Sequence, residues 1–235
     1  VDAIVNLGDI LSGPLWPAET ADLLMPLQLP TLAGNHERQV LTQALAEMSD
    51  TDRRTAPLLR PEHRAWLAAL PPTLRWQPEV LLCHGTPTSD LQYLMETVTP
   101  DYQAGVSPGV RAATSAELLP RLGDAMQGVA HALILCGHSH MPRCERLADG
   151  RLLVNPGSVG LQAYDDDHPH THIMETGSPQ ARYALLTRKA HGWQVKLRRV
   201  DYDFEAAAAQ AERQGRPDWA GALRSGRMPS SHLPR

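Results

Sequence analysis

The chain has 235 residues, 42% of them hydrophobic and 20% charged, with a formal net charge of −4. That length can bury a sizeable core. The weak acidity gives no electrostatic case for nucleic acid or an anionic membrane surface, and no apolar run approaches the ~20 residues of a membrane span. Three cysteines, Cys83, Cys136 and Cys144, show no CxxC spacing, and two lie in apolar, strand-like runs. They read as reduced core thiols of a cytoplasmic protein without a signal peptide. Twenty prolines imply many loops, and eleven histidines are more than such a composition needs.

Residues 1–7 form a β-rich run that ends at Gly8-Asp9, and an acid just beyond a buried strand sits where α/β sheets put their chemistry. Val1 is not an initiator methionine, and the chain opens inside this strand pattern, so residues upstream are expected. Ser12-Gly13-Pro14 is a turn, and residues 16–27 read as helix with Pro17 near the start. Residues 29–33 are a second short strand, closed by Gly34-Asn35-His36-Glu37. This can be a helix N-terminus, with Asn35 as cap and Glu37 in the first turn, or a set of metal-capable groups, and both can hold together. Helix is expected over 38–48 and, with interruptions, over 51–72, where His63 is read as a surface residue.

Residues 79–83 are a third apolar strand, ending in His84-Gly85-Thr86-Pro87. Residues 89–110 read as a loop-rich insert, and 115–122 as a helix capped by Ser115. A fourth strand over 129–136 ends in Gly137-His138-Ser139-His140. Imidazole is the commonest side-chain metal ligand, so the spaced pair is a candidate for one or two metals, and Gly137 is expected to let the backbone pass close to what they hold. Asp149-Gly150 lies between 144–147 and 151–154, a strong hairpin signal. The glycine-rich run 155–160 is either a plain loop or a rim loop offering backbone N–H groups to an anion. Residues 165–172, rich in Asp and His, are read as a solvated loop rather than a structural metal site. Residues 181–187 and 192–200 alternate like paired strands, with Lys196, Arg198 and Arg199 suiting an exposed face. A helix is expected over 204–214, and a frayed tail over about 229–235.

Strand after strand ends in a short polar cluster, and the strand ends of one sheet converge in space. The combined series, Gly8-Asp9, Gly34-Asn35-His36-Glu37, His84 and Gly137-His138-Ser139-His140, resembles the calcineurin-like metallophosphoesterase superfamily. Gly13-Pro14, the His84-Gly85-Thr86-Pro87 run, Pro142 and the 155–160 run are similar to its small bacterial and archaeal phosphodiesterase-type members, near the diadenosine-tetraphosphatase-like group. The resemblance covers the chain to roughly residue 200 and implies one α/β domain, a four-layer αββα sandwich of two mixed sheets with outer helices. It implies two divalent metal ions, Mn first, with Fe, Zn, Co, Ni or Mg also fitting, which clamp a phosphoryl group and activate a bridging water. By resemblance, Asp9, Asn35, His84 and His138 hold one ion, and Asp9 with His140 hold the other. His36 protonates the leaving oxygen or steadies the phosphate, and Glu37 orients His36. Arg143 is added here as a phosphate contact.

The superfamily opens with a D-x-H strand that completes the second ion's ligands, and no such motif precedes Gly8. A fragment that lost its first strand is the favoured explanation, and a crippled metal position the other. The expected function is hydrolysis of phosphomonoester, phosphodiester or phosphoanhydride bonds in a small phosphorylated substrate, nucleotide-like or a phosphoprotein. Long nucleic acid is disfavoured. With a single Phe, base stacking would fall to Tyr93, Tyr102 or Tyr164. The alternative function is a metal-poor binding scaffold of the same fold. Nothing in the sequence sets the oligomeric state.

Overall fold

The computed structural model describes residues 1–233. Its centre is a mixed sheet built from β1 (Thr73–Gln77), β2 (Val80–Cys83), β5 (Leu133–Leu135), β6 (Arg143–Arg146) and β7 (Leu152–Asn155), in the order β1-β2-β5-β7-β6. The inner three strands are parallel, and the two edge strands run antiparallel to their neighbours. Parallel strands covered on both faces should be apolar on both, which is why the 80–83, 133–135 and 152–154 runs do not alternate in polarity.

Alternation reappears in where each side chain goes. Val80, Leu82, Leu133, Leu135, Leu152 and Val154 face a ribbon of two long strands, β10 (Ala181–Lys189) and β11 (Gly192–Val200), through its Ala184, Leu186, Trp193 and Val195. Cys83, Ile134, Cys136 and Leu153 face the other way, against Leu118 and Leu122 of α5 (Ser115–Leu122) and Leu94 and Met95. The architecture is thus a mixed sheet between a second β layer and flanking helices. The remaining strands form two short hairpins, β3 (Glu96–Val98) with β4 (Val110–Ala112) and β8 (Ala163–Asp166) with β9 (His172–Glu175).

Before the sheet come α1 (Pro17–Leu24), α2 (Asn35–Thr42), α3 (Asp50–Thr55) and α4 (Pro61–Ala68), gathered around Leu11, Ala21, Val40 and Leu67. After it, α6 (Phe204–Arg213) and α7 (Pro217–Ser225) pack through alanines at 207, 208, 211 and 220, and Trp219 of α7 covers Gly13. No helix among the described residues is long and apolar enough to cross a membrane.

Several expectations change. The two strands expected at 1–7 and 29–33 meet each other in one parallel bridge, Asn6 with Thr31, and form no longer ladder. The insert at 89–110 carries β3 and begins β4. The helix starting at 115 is introduced by Thr114, whose N–H and hydroxyl both donate to Glu117 Oε2, at 2.7 and 2.8 Å; the cap sits one residue earlier than expected. His63 is buried, not superficial, because both ring nitrogens find partners: the Arg60 N–H at 3.4 Å and Asp22 at 3.1 Å. The 165–172 loop shrinks to a turn between β8 and β9, and His172 inside it is buried. Of the expected tail, Ser230–His232 make a 3-10 turn and Leu233 packs beside Met228; 234 and 235 lie outside the described residues.

A central-strand truncation tests the core. Ile134→Ala removes a side chain with 0% exposure and is expected to cost about 2–5 kcal/mol of unfolding free energy. Leu197→Ala, at a position 41% exposed, should cost under about 1 kcal/mol. Urea midpoints of the two variants should separate accordingly, and equal midpoints would contradict the layering described here.

Candidate metal centre

The clusters that follow residues 7, 33, 83 and 136 come together at one edge of the fold. Two glycines set the closest approach. A Cβ on Gly8 would lie 2.5 Å from the Gly34 nitrogen, and a Cβ on Gly34 would lie 2.2 Å from Asp9 Oδ1 and 2.8 Å from His84 Cε1. Gly34 therefore leaves the room in which Asp9 and His84 meet. Gly137, expected to do this, does not: a Cβ there would make contacts no shorter than 3.5 Å.

Glu37 fastens the same junction. Its carboxylate is buried and accepts backbone N–H groups from Asp9 at 2.7 Å, Ile10 at 2.8 Å and Gly34 at 2.8 Å. Asp9 has φ of 55°, and His138 and His140 have φ of 63° and 58°, so three of the six described non-glycine residues with positive φ belong to this cluster. Such backbone is held only where surroundings over-determine it, and it concentrates at functional sites. Glu37 supplies that constraint for Asp9. Asn155 supplies it for the histidine loop, donating from Nδ2 to the Gly137 carbonyl at 2.7 Å and to Ser139 Oγ at 3.0 Å.

Each imidazole is held by one nitrogen. His84 Nδ1 lies 2.6 Å from the Leu7 carbonyl, His138 Nε2 lies 3.0 Å from the Leu91 carbonyl, and His140 bonds the Leu161 backbone. A carbonyl only accepts, so the nitrogen facing it carries the hydrogen and the other ring nitrogen presents its lone pair. For His84 that free nitrogen, Nε2, lies 2.9 Å from Asp9 Oδ2. In the neutral ring two acceptors would face each other there, an arrangement that calls for a cation or a proton between them. His140 Nδ1 and Asn35 Oδ1 are also buried without a hydrogen-bond partner. The ligand atoms of Asp9, His84 and His138 lie within 4.8 Å of one another. Carboxylate, imidazole and amide oxygen suit a first-row transition metal ion, and the unpaired acceptors fit that group on geometry alone.

Electrostatics agree. Burial pushes His138 down to about 3 and His140 down to about 4, so both rings are neutral, the form that ligates. Burial acts against Asp9 ionising too, but the His84 and His36 charges outweigh it and hold its carboxyl well below the usual range. His84 is raised, since the Asp9 carboxylate outweighs its own burial.

His36 shows what the sequence missed. Its Nδ1 lies 2.8 Å from Oδ1 of Asp52, a carboxylate with 0% exposure that also accepts from Ser12 Oγ at 2.7 Å and Ser49 Oγ at 3.0 Å. Against burial, the charges of Asp9 and Asp52 raise His36 to about 9. Asp52, not Glu37, is thus the acid in contact with His36. The only local signal was Ser49-x-x-Asp52, and that spacing reads as a helix start; Ser49 Oγ does accept the Asp52 N–H at 3.1 Å.

Other expectations shift as well. Arg143 is engaged with the Met95 carbonyl at 2.8 Å and the Ala113 carbonyl at 3.3 Å, a structural role in place of the expected phosphate contact. Tyr93 and Tyr164 offer no free stacking faces. Tyr164 bonds Tyr93 at 2.9 Å, Tyr93 bonds His172 at 3.0 Å, and their rings pack on His138 and His140. Tyr102 packs with Leu161 and Ala163. Asp166, Asp167 and His168 also cluster, but with side chains 42%, 80% and 88% exposed.

Residues 1–178 match the calcineurin-like phosphoesterase superfamily domain, and the chain belongs to that superfamily of metal-dependent phosphoester hydrolases. An uncharacterised protein of Methanocaldococcus jannaschii is 24% identical over 237 residues, covering 94% of this chain and 85% of its own length. A metallophosphoesterase from Sphaerobacter thermophilus superposes with a TM-score of 0.66 at 23% identity, over 96% of this chain and 89% of that one. A hypothetical protein from Pyrococcus horikoshii OT3 gives the same TM-score at 16% identity, over 95% and 85%. At these identities the superpositions establish the fold.

The glycine contrast is directly testable. Gly34→Ala should lower Mn affinity by about 10–100-fold, the range expected when the support of a metal ligand is disturbed. Gly137→Ala should stay within about threefold of the parent. Metal content by elemental analysis after dialysis against graded free Mn reads both, and a Gly34→Ala chain that keeps its metal would overturn the account of the junction.

Proposed function

We propose that the chain is a hydrolase of small phosphorylated substrates that works with two divalent ions, Mn first among them. One observation carries this reading. Three imidazoles each spend one nitrogen on a backbone carbonyl and keep the other lone pair free, beside Asp9 and an unpartnered Asn35 oxygen. Asp9, Asn35, His84 and His138 would hold one ion, with His140 and a shared Asp9 serving the other. When bound, such ions polarise a phosphoryl oxygen and acidify water.

The chain's own residues supply the rest. Glu37 keeps Asp9 aimed by fixing its backbone. Asn155 does the same for the histidine loop. His36, with Nδ1 on Asp52, keeps its Nε2 proton available to a leaving oxygen, and the buried Asp52 carboxylate stabilises the charged ring and fixes its orientation. Asp52 is therefore a positioning residue. Monoesters, diesters and anhydrides all present a leaving oxygen that this arrangement could protonate.

Elemental analysis and hydrolysis of p-nitrophenyl phosphate, bis-p-nitrophenyl phosphate and a nucleoside diphosphate with added Mn test the reading together. Turnover of at least one substrate, abolished by chelation and restored by Mn, is expected. Asp52→Asn should lower kcat by about 10–100-fold with metal content unchanged, the size expected when a supporting hydrogen bond is altered. Full metal loading with no turnover of any of the three would refute the hydrolase reading.

A further inference from the structure

The ribbon of β10 and β11 has two different ends. At one end Trp193 Nε1 donates to the His131 carbonyl at 3.1 Å and Arg188 pairs with Glu79 at 2.9 Å, both just ahead of the parallel strands β5 and β2. At the other end the Arg182 N–H donates to the Ser158 carbonyl at 2.9 Å, just past the C-terminal end of β7. The metal-ligand loops leave the sheet from that same C-terminal edge. The second end of the ribbon therefore lies on the site's rim.

Two arginines occupy it. Arg182 and Arg199 are cross-strand partners. By alternation they share the face through which Ala184, Leu186, Trp193 and Val195 meet the sheet. Like charges directly opposite on a strand pair are destabilising, and no carboxylate pairs with either among the described residues. Arg182 is only 8% exposed, and a buried charge without a counter-ion is costly. Its Nη2 donates to Ser178 Oγ at 2.6 Å, while Nε is buried with no partner. Burial, and then the Arg199 charge, lower its pKa, which is the direction expected where no anion compensates it. The loop after β7 runs tightly across this residue. Gly157 has φ of 87°, and a Cβ there would sit 2.9 Å from Arg182 Cδ. Four residues further on, Leu161 bonds His140. Four residues span at most about 14 Å, so Gly157, which touches Arg182, and the Leu161 backbone that holds His140 lie no further apart than that.

We propose that Arg182 and Arg199 form a subsite for a second phosphate of the substrate, separate from the phosphate held at the metal centre. The guanidiniums offer charge-assisted hydrogen bonds to phosphate oxygens, and the anion relieves their mutual repulsion. The substrate class becomes a molecule with two phosphate groups, such as a nucleoside carrying a phosphate beyond the scissile ester. The subsite takes its substrate from the phosphoesterase reading, but its binding of an anion does not depend on turnover.

Two arms test it on the full chain. In the first, pyrophosphate is titrated calorimetrically into Mn-loaded and chelator-stripped protein. A component that survives stripping is expected, weakened about tenfold or more in Arg182→Gln and in Arg199→Gln. Arg199 is exposed, so its variant should fold even if the Arg182 variant does not. In the second arm, thymidine 5′-(p-nitrophenyl phosphate) is compared with the same ester carrying a 3′-phosphate. The 3′-phosphate should lower KM about tenfold, and Arg199→Gln should remove that advantage while leaving the simpler ester unchanged.

Binding that is lost in neither variant, or a KM indifferent to the 3′-phosphate in a chain that turns over both esters, overturns the subsite. Arginine-dependent binding in a metal-loaded chain that hydrolyses nothing leaves the anion site standing and overturns the phosphoesterase reading instead.

Discussion

The Glu37 carboxylate is the constraint on which the site depends. One buried side chain takes three backbone N–H groups from two separate segments, those of Asp9, Ile10 and Gly34. A buried carboxylate is tolerable only when so satisfied, and its anion rewards the N–H groups in turn with charge-assisted bonds. The result is a fixed junction at which Asp9 holds a left-handed backbone that a free chain would abandon. Without it the acid at the centre of the site would have no single direction.

The same logic recurs around the histidines with different chemistry. Backbone carbonyls of Leu7 and Leu91, and the backbone of Leu161, take one side of each ring. These partners belong to three distant stretches of chain, so the site reports on packing across the whole edge of the fold. Leu91 is itself held near α2 through Asp90, whose carboxylate meets Arg38 at 2.6 and 2.9 Å. A short ion pair on the rim thus links the helix carrying Asn35 and His36 to the loop that orients His138. Exposed pairs of this kind contribute little stability; its value here is geometric.

Beyond the matched 178 residues, the ribbon and the last two helices cover surfaces that residues 1–178 alone would leave open. The ribbon seals one face of the sheet. The α6–α7 pair reaches back to the first quarter of the chain, where Trp219 lies over Gly13 and Arg216 bonds Thr51 at 3.0 Å, next to Asp52. The segment bearing Asp52 is therefore steadied from the far end of the sequence.

The sequence by itself determined the strand-end clusters. His84, His138 and His140 were legible because a strand closed by a polar cluster is a local pattern, and the strands of one sheet converge. Asp9, Asn35 and His36 carried the same local pattern, but their preceding runs meet only in the Asn6–Thr31 bridge, and the Glu37 carboxylate is what joins them. The buried strands were legible too, since runs such as 80–83 and 133–135 do not alternate in polarity; that they pair in parallel is shown by the fold. Roles set by distant partners were not legible. Asp52 and Ser49 match a helix cap whichever residue the carboxylate finally meets. Arg143 and His63 carry groups whose partners, Met95 and Ala113 for one and Asp22 for the other, are fixed by packing. Tyr93 and Tyr164 could have stacked on a base until the fold closed them against His138, His140 and His172. Hydrogen-bond partners far apart in the chain, and the desolvation that accompanies them, exist only in the folded molecule, so tertiary structure alone decided which groups hold the site and which are free to act in it.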